Sequence, residues 1–596
     1  MLPFSPSEAS KNPRQVAPKG DKHPIVELLP VEVIEYIFET GTRAEGADKG
    51  WDGVRNDKHG LNRPRKSLFP VRVSHVCRRW RRIAIDVPSL WTRLDFMEPR
   101  PFEKSKVWLE RSKRAPLDLS IDLYTVEDGI DVDDTDSQYD DTDSWDDDID
   151  SWDDDNQGYQ CRNDLAVQDI DCILDLIIPH VSRWRTFRLS MRFYKHAYST
   201  LIRLGKCPAD PGAPILQAFA LYYNNSGSSS RFPNLEHKLP FGGHAPMLTQ
   251  AVFHGIDIDW KLLIPPSERS AISSLYSIPT FTTNLTDLDF NYHSGDVRPS
   301  YEEFITILRC APNLASLKFH CSSPAPRQQG LVAQPIFLPN LRYLRLREIE
   351  KEDACALLRM FYAPVLKSIS LSLGEEVYDA FIRQLAAPMP LPDPQSPGFR
   401  DLIFLPSSSG DVPDSLSLSE EGEEAGRFVD SRELKSILHN VTEVNLTCIT
   451  CSTDSPQRFY SACHNLKRLS LDMICIPLEF FSVFMKDHAI PGCQGGGSNA
   501  SLSLSSTTSS VDLMTQPGTP LCKHLESLSI TGISGKQLIA FVKKRKAQGI
   551  PLQELHYCLT WKDIATTTEK ERRLLKRWLI ANVRSVKIVG LRLKGG

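Results

Sequence analysis

The amino-acid sequence predicts an α+β chain of several domains: a small all-helical module, then an irregular α/β repeat array. Three observations lead to that class. Apolar residues recur at helical spacing between residues 24 and 96. From about residue 180 a short apolar triplet returns many times, with helical stretches between its copies. Between these regions, residues 127–155 hold 16 acids and no base, so they cannot collapse into a core. The length of 596 residues also exceeds what one compact core accommodates.

Residues 1–23 are rich in Pro, Ser and Lys and are expected to be disordered. The pattern changes at Pro24. In PIVELLPVEVIEYIF, Leu29, Val33, Ile34, Ile37 and Phe38 fall on one helical face. Pro30 suits a first helical turn, where its missing N–H costs nothing. Residues 41–67 bring Gly, Asp, Arg and Asn and read as a loop. A second helical run follows in FPVRVSHVCRRWRRIAIDVPSLW. Val73, Val76, Cys77, Trp80, Ile83 and Ala84 share its apolar face, with Arg78, Arg79, Arg81 and Arg82 mainly off it. Pro88 ends that run, ahead of Leu90 and Trp91.

Residues 97–126 read as a connecting segment and 127–160 as an acidic, disordered linker. Removing the 16 acids from the total of 75 leaves 59 against 70 bases, so a body of +11 hides behind a formal net charge of −5. A calcium loop is excluded by spacing. Counted from Asp131, the sixth position is Asp136 rather than Gly and the twelfth is Thr142 rather than Glu.

Residues 161–596 form the predicted array. Its unit is an apolar residue, two variable ones, an apolar residue, one variable and a third apolar. The triplets are Leu285-Leu288-Phe290, Leu314-Leu317-Phe319, Leu341-Leu344-Leu346 and Leu366-Ile369-Leu371. Phe399-Leu402-Phe404, Val441-Val444-Leu446, Leu466-Leu469-Leu471 and Leu525-Leu528-Ile530 continue the series. Low-complexity inserts at 406–426 and 492–520 stretch two of the intervals. Helical stretches follow Pro299, Glu350 and Ile533, and Asn or His often stands just before the first Leu, as in PNLASLKF and HNLKRLSL. One strand and one helix cannot bury both of their faces alone, so neighbouring units are expected to stack, strands on one side and helices on the other.

The ordered elements of the first module resemble an F-box domain of the F-box-like type found in large fungal families. Leu29, Pro30, Glu32, Val33, Ile37 and Phe38 match its first part. Val76, Cys77, Arg78, Trp80, Ile83, Ala84, Pro88, Leu90 and Trp91 match its second. The resemblance covers roughly residues 25–96 of a helical domain bounded at 24–96, and the array is similar to the leucine-rich-repeat solenoid that commonly follows. It implies a non-catalytic subunit of an SCF-type cullin–RING ubiquitin ligase. The F-box would dock on a Skp-type adaptor, and the array would select a protein substrate for ubiquitin-dependent degradation. Leu29, Pro30, Ile34, Ile37, Phe38, Val73, Val76, Trp80, Leu90 and Trp91 are the candidate adaptor-binding residues. Candidate substrate-binding residues are Arg342, Tyr343, Arg345, Arg347, Lys467 and Arg468, which alternate with apolar strand positions. Arginines suit an acidic or phosphorylated segment.

Other readings fare less well. RRWRR at 78–82 and KKRK at 543–546 could touch nucleic acid, or the latter could direct nuclear import. Trp80, however, sits on an apolar face, and KKRK ends a helix where cations favour the carbonyl end. A repeat scaffold without a ligase role remains open, as does a nucleic-acid-associated nuclear protein. No nucleophile, dinucleotide or phosphate-loop motif is present, so neither catalysis nor a cofactor is expected. CITC at 448–451 leaves a strand instead of opening a helix, and a zinc set of Cys448, Cys451, Cys463 and His464 suffers from two adjacent ligands. No apolar stretch is long enough for a membrane span or a secretory signal. A cytoplasmic or nuclear protein with reduced cysteines is therefore expected.

Overall fold

The computed structural model describes residues 29–47, 69–123, 169–223, 240–263, 281–325, 335–388, 435–485, 520–559 and 567–590, except 97, 192–193, 209, 257, 294 and 296. The expectations for 1–23, 127–160, 406–426, 492–519 and the triplet at 399–404 lie outside these residues. The chain divides into two compact units, Met1–Leu117 and Asp118–Gly596.

The first unit contains α1 (Val31–Ala47), α2 (Phe69–Ser74), α3 (Arg78–Asp86), a 3₁₀ turn at Pro88–Trp91, the two-residue strand β1 (Arg93–Leu94) and α4 (Glu103–Arg111). Two expectations change here. The loop drawn from residue 41 begins later, because α1 runs on to Ala47. Thr42 Oγ1 donates back to Phe38 O at 2.9 Å, and Arg43 pairs with Glu39 one turn earlier at 3.2 Å. Gly41, which reads as a breaker, instead makes room: a Cβ there would lie 2.1 Å from Cζ of Phe69. The second helical run is two helices. Cys77 is extended (φ −156°, ψ 170°) and caps α3, its Sγ accepting from Trp80 N–H at 3.4 Å. Val76 and Cys77 therefore leave the apolar face and lie exposed.

Ile34, Phe38, Ile83, Ala84, Leu90 and Trp91 form the core of this unit. The Trp91 indole donates to Ala84 O at 2.8 Å and meets Trp108 of α4 edge-on at 5.3 Å, with the Arg111 guanidinium 4.5 Å from its ring. The expected connector 97–126 thus holds a packed helix and also β2 (Leu117–Asp122). Leu117, Leu119 and Ile121 are buried in β2, in strict alternation with Asp118, Ser120 and Asp122. Ordered structure begins before the acidic segment because LDLSID carries a strand's period of two.

From β2 on, all strands but two take their places, in the order in which they occur, in one open sheet. After β2 come β3 (Trp184–Met191), β4 (Ala218–Tyr223), β5 (Gln250–His254), β6 (Asp287–Asn291) and β7 (Ser316–His320). β8 (Ile336–Phe337) pairs apart from the sheet with β10 (Phe361–Tyr362). β9 (Tyr343–Arg347), β11 (Ser368–Val377), β12 (Glu443–Thr450), β13 (Arg468–Asp472), β14 (Ser527–Thr531), β15 (Glu554–Leu559) and β16 (Ser585–Gly590) complete it. Every pairing from β3 to β16 is parallel. Parallel neighbours need crossovers, and helices such as Tyr301–Arg309, Lys351–Met360 and Gly535–Ala547 provide them. Capping boxes at Ser300/Glu303 and Ser534/Gln537 start two of these helices. The molecule is accordingly mixed α/β.

Register explains the triplet. Leu288, Leu317, Leu344, Ile369, Val444, Leu469 and Leu528 form one continuous row, and the third residue of each triplet forms the next. None of the seven described triplets is more than 2% exposed, so the pattern is wholly a core pattern. β11 pairs directly with β12. The sheet also reaches beyond the expected rungs. Trp184-Phe187-Leu189, Leu216-Phe219-Leu221, Leu248-Ala251-Phe253 and Leu552-Leu555-Tyr557 keep the same spacing and are buried too.

In five of the seven described triplets the residue before the first apolar position ties the rungs together. Asn284, Asn313, Asn340, Asn440 and Asn465 each donate a side-chain N–H to a backbone carbonyl of the preceding rung, over 2.7–3.4 Å.

Candidate functional site

The ten candidate docking residues of the first unit separate into three groups. Ile34, Phe38, Val73, Leu90 and Trp91 are no more than 5% exposed and close the unit's own core. Leu29 and Trp80 are half-buried, with Trp80 meeting Phe38 edge-on at 5.0 Å. Pro30, Ile37 and Val76 are open to solvent. Sequence reasoning missed Val31 and Tyr36 as surface residues. Together with Val33 they expose 40–65% of their area on α1. The reason is geometric: α1 turns only the Ile34–Phe38 stripe inward, leaving the flanking apolar residues uncovered by the described part of the unit.

The candidate substrate residues lie on β9 and β13. Tyr343, Arg345 and Arg347 share the outer face of β9, since Leu344 and Leu346 take the inner one. Arg342 precedes the strand and lines an open groove of about 580 Å³ beside Asn340, Asn313 and Asn284. Those amides already serve the rungs, so the groove offers few uncommitted polar groups. Lys467 and Arg468 are exposed, but Glu526 lies 3.7 Å from Lys467 and Glu443 lies 2.7 Å from Arg468. Both point outward, as expected, and each meets an acid of an adjoining rung. The Glu443 contact holds the Arg468 guanidinium above its usual pKa.

The outer face around β9 carries more groups than the sequence suggested. Arg345 stands in register with Lys318, and Lys318 with Asp289. Asp289 keeps some exposed surface but is crowded by neighbouring rungs. Desolvation pushes its carboxyl up to about 6, against the pull of Lys318, the Asn291 amide and Arg345. One row further along, Tyr222, His254, Tyr292 and His320 form a ladder with ring centroids 4.3–5.8 Å apart. Burial lowers His254 to about 3 and His320 to about 4, so both imidazoles are neutral at pH 7. Except for Tyr292, which follows its strand, these residues were findable, because each occupies the same place in its rung as Arg345 or Arg347 in β9.

The two basic clusters are not equivalent. In KKRK, Arg545 is 3% exposed and donates to Leu525 O at 3.1 Å and Cys522 O at 3.3 Å. Lys544 donates to Met485 O and Lys546 to Asn582 Oδ1. That cluster fastens rungs together. In RRWRR, Arg78, Arg81 and Arg82 are exposed, and Trp80 is half-buried. Cys451 and Cys463 offer no activated thiol. Burial raises Cys451 to about 12 and pushes Cys463 well up. Among the described residues the one metal-ligand cluster is His320, Cys321 and Glu348.

No helix among the described residues is long and apolar enough to cross a membrane. No protein-family model matches the chain, and no curated protein matches it.

Proposed function

We propose that the chain is the non-catalytic, substrate-selecting subunit of a cullin–RING ubiquitin ligase, working in the cytoplasm or nucleus. Its helical unit docks on a Skp-type adaptor and its repeat sheet takes a protein substrate. The ordered match from Leu29 to Trp91 motivates this reading. One structural observation supports it above the rest: Val31, Val33, Tyr36, Ile37 and Val76 are five of only fourteen large apolar side chains exposed among the described residues. Exposed apolar surface concentrated in this way is what a partner helix covers. On the sheet, Arg342, Tyr343, Arg345, Arg347, Lys467 and Arg468 are the candidates for an acidic or phosphorylated segment, with Lys318 in register beside Arg345; Arg347, Lys467 and Arg468 each already lie beside an acid.

The test is co-purification of the full chain with a Skp-type adaptor and cullin. Ile37→Asp with Val76→Asp touches exposed positions and should abolish adaptor capture without altering the circular-dichroism melt. Arg345→Glu should keep the adaptor and change the captured substrates. Adaptor capture by the folded double variant removes this docking face. Absence of adaptor and cullin from the wild-type purification favours a scaffold outside any ligase.

A further inference from the structure

We infer that His320, Cys321 and Glu348 bind one divalent transition-metal ion, zinc by the chemistry of the donors. The inference concerns the sheet alone and does not rest on the ligase reading.

Adjacent residues of a strand point to opposite faces, so a neighbouring His and Cys ordinarily cannot converge. Here the alternation is broken. Cys321 follows the last residue of β7 with φ 47°, and Glu348 follows β9 with φ 50°. A left-handed residue there carries its side chain round to the strand residue before it. Backbone bonds hold both turns: Cys321 N–H donates to Arg347 O at 3.0 Å, and Glu348 N–H donates to Ser372 O at 2.7 Å. A nitrogen of His320, Sγ of Cys321 and a carboxylate oxygen of Glu348 consequently all lie within 4.8 Å of one another. After β5 and β14 the same left-handed place is filled by Gly255 and Gly532, which tolerate it freely. Tyr292, Cys321 and Glu348 hold it on consecutive rungs with a side chain attached.

The donor set of nitrogen, sulfur and oxygen suits zinc, whereas calcium and magnesium take oxygen ligands. The supporting contacts suit it too. Glu348 Oε1 accepts from Arg347 Nε at 3.0 Å, which orients the carboxylate, while Oε2 faces Cys321 Sγ at 2.9 Å. Tyr292 Oη lies 2.9 Å from His320 Nε2, the nitrogen that also lies 3.5 Å from Glu348 Oε1, so the phenol gives up that nitrogen when the ion binds. Glu348 is exposed, so an ion reaches the site from solvent. Three protein ligands leave a fourth position for water. On binding, the Cys321 S–H bond breaks, its electron pair goes to the metal and the proton to buffer, with no change of oxidation state.

The full chain, stripped with chelator under reducing conditions, is titrated with Zn²⁺ against a chromophoric competitor, and separately with Co²⁺. Because the sequence has 14 cysteines, the reading is a difference between variants. The wild type should bind one equivalent more than Cys321→Ser and show a cobalt–thiolate charge-transfer band that this variant lacks. Glu348→Gln should weaken that equivalent by about tenfold or more. Cys451→Ser should behave as wild type. Equal stoichiometry and affinity in the wild type and both site variants would mean a hydrogen-bonded cluster only and would overturn the inference. So would a folded wild type that binds no zinc. If Cys321→Ser loses its circular-dichroism signature, the Glu348→Gln titration decides alone, since that side chain is exposed.

Discussion

The helical unit and the repeat sheet use the same kind of apolar pattern with different completeness. In the sheet every residue of the described triplets is enclosed, because a rung is covered by rungs on both sides and by crossover helices. In the helical unit Ile34 and Phe38 go in while Val33 and Ile37 stay out, though all four share one helical face by period. A short helical unit has too little chain to cover a wide apolar stripe. The difference teaches that periodicity marks a face, while the number of neighbouring elements decides how much of that face is buried.

The largest effect should come from testing that contrast directly. Leu344→Ala opens a cavity between rungs and should cost about 2–5 kcal/mol. Ile37→Ala, on the exposed flank of α1, should stay within about 0.5 kcal/mol. Denaturant midpoints of the two full-length variants compare them. Similar shifts would mean that the flank of α1 is packed and would break the comparison.

Acid should separate the regions next. His75 of the helical unit is exposed, whereas His293 of the sheet is 4% exposed, lies 3.0 Å from Ser322 Oγ and is held down to about 3 by burial. The unfolded chain takes up that proton near pH 6.5 and the folded chain does not, so stability falls as pH drops from 6.5 towards 3. The loss is on the order of a few kcal/mol. Asp289 works the other way: its carboxyl is raised to about 6, so its contribution improves as pH falls from 6 towards 4. Melting temperatures of His293→Gln against pH should show a flatter acid limb than the wild type. An unchanged limb would place the acid sensitivity elsewhere.

The smallest contrast sharpens the comparison of the basic clusters. Arg545→Met removes a guanidinium that caps two carbonyls in the sheet and should cost about 1–3 kcal/mol. Arg81→Gln in the helical unit should change stability by less than about 0.5 kcal/mol, since Arg81 is exposed. Thermal melts read both.

Much of the sheet was legible because each triplet reports its own burial. The rungs at 184–191, 218–223 and 250–254 were missed where aromatic residues or Ala251 stand in place of Leu, although their spacing is the same. The outward direction of Arg345 followed from alternation. The neutralisation of Arg468 did not, because Glu443 arrives from another rung. Cys321 and Glu348 carried no signal at all. Nothing in a cysteine or glutamate announces a left-handed backbone, and only the pairing of β7 with β9 brings them together.

The sequence by itself determined local terms: the apolar triplet of each described rung and the capped starts of helices such as those after Ser300 and Ser534. These depend on neighbours within a few positions, and period and capping express them directly. Only the tertiary structure decided which half of the α1 stripe is covered, which arginines meet acids, and that the asparagines ahead of five rungs bridge to the previous rung. Those outcomes depend on residues 25 or more positions apart, whose meeting is fixed by strand register. Register is a property of the assembled sheet, and no single segment contains it.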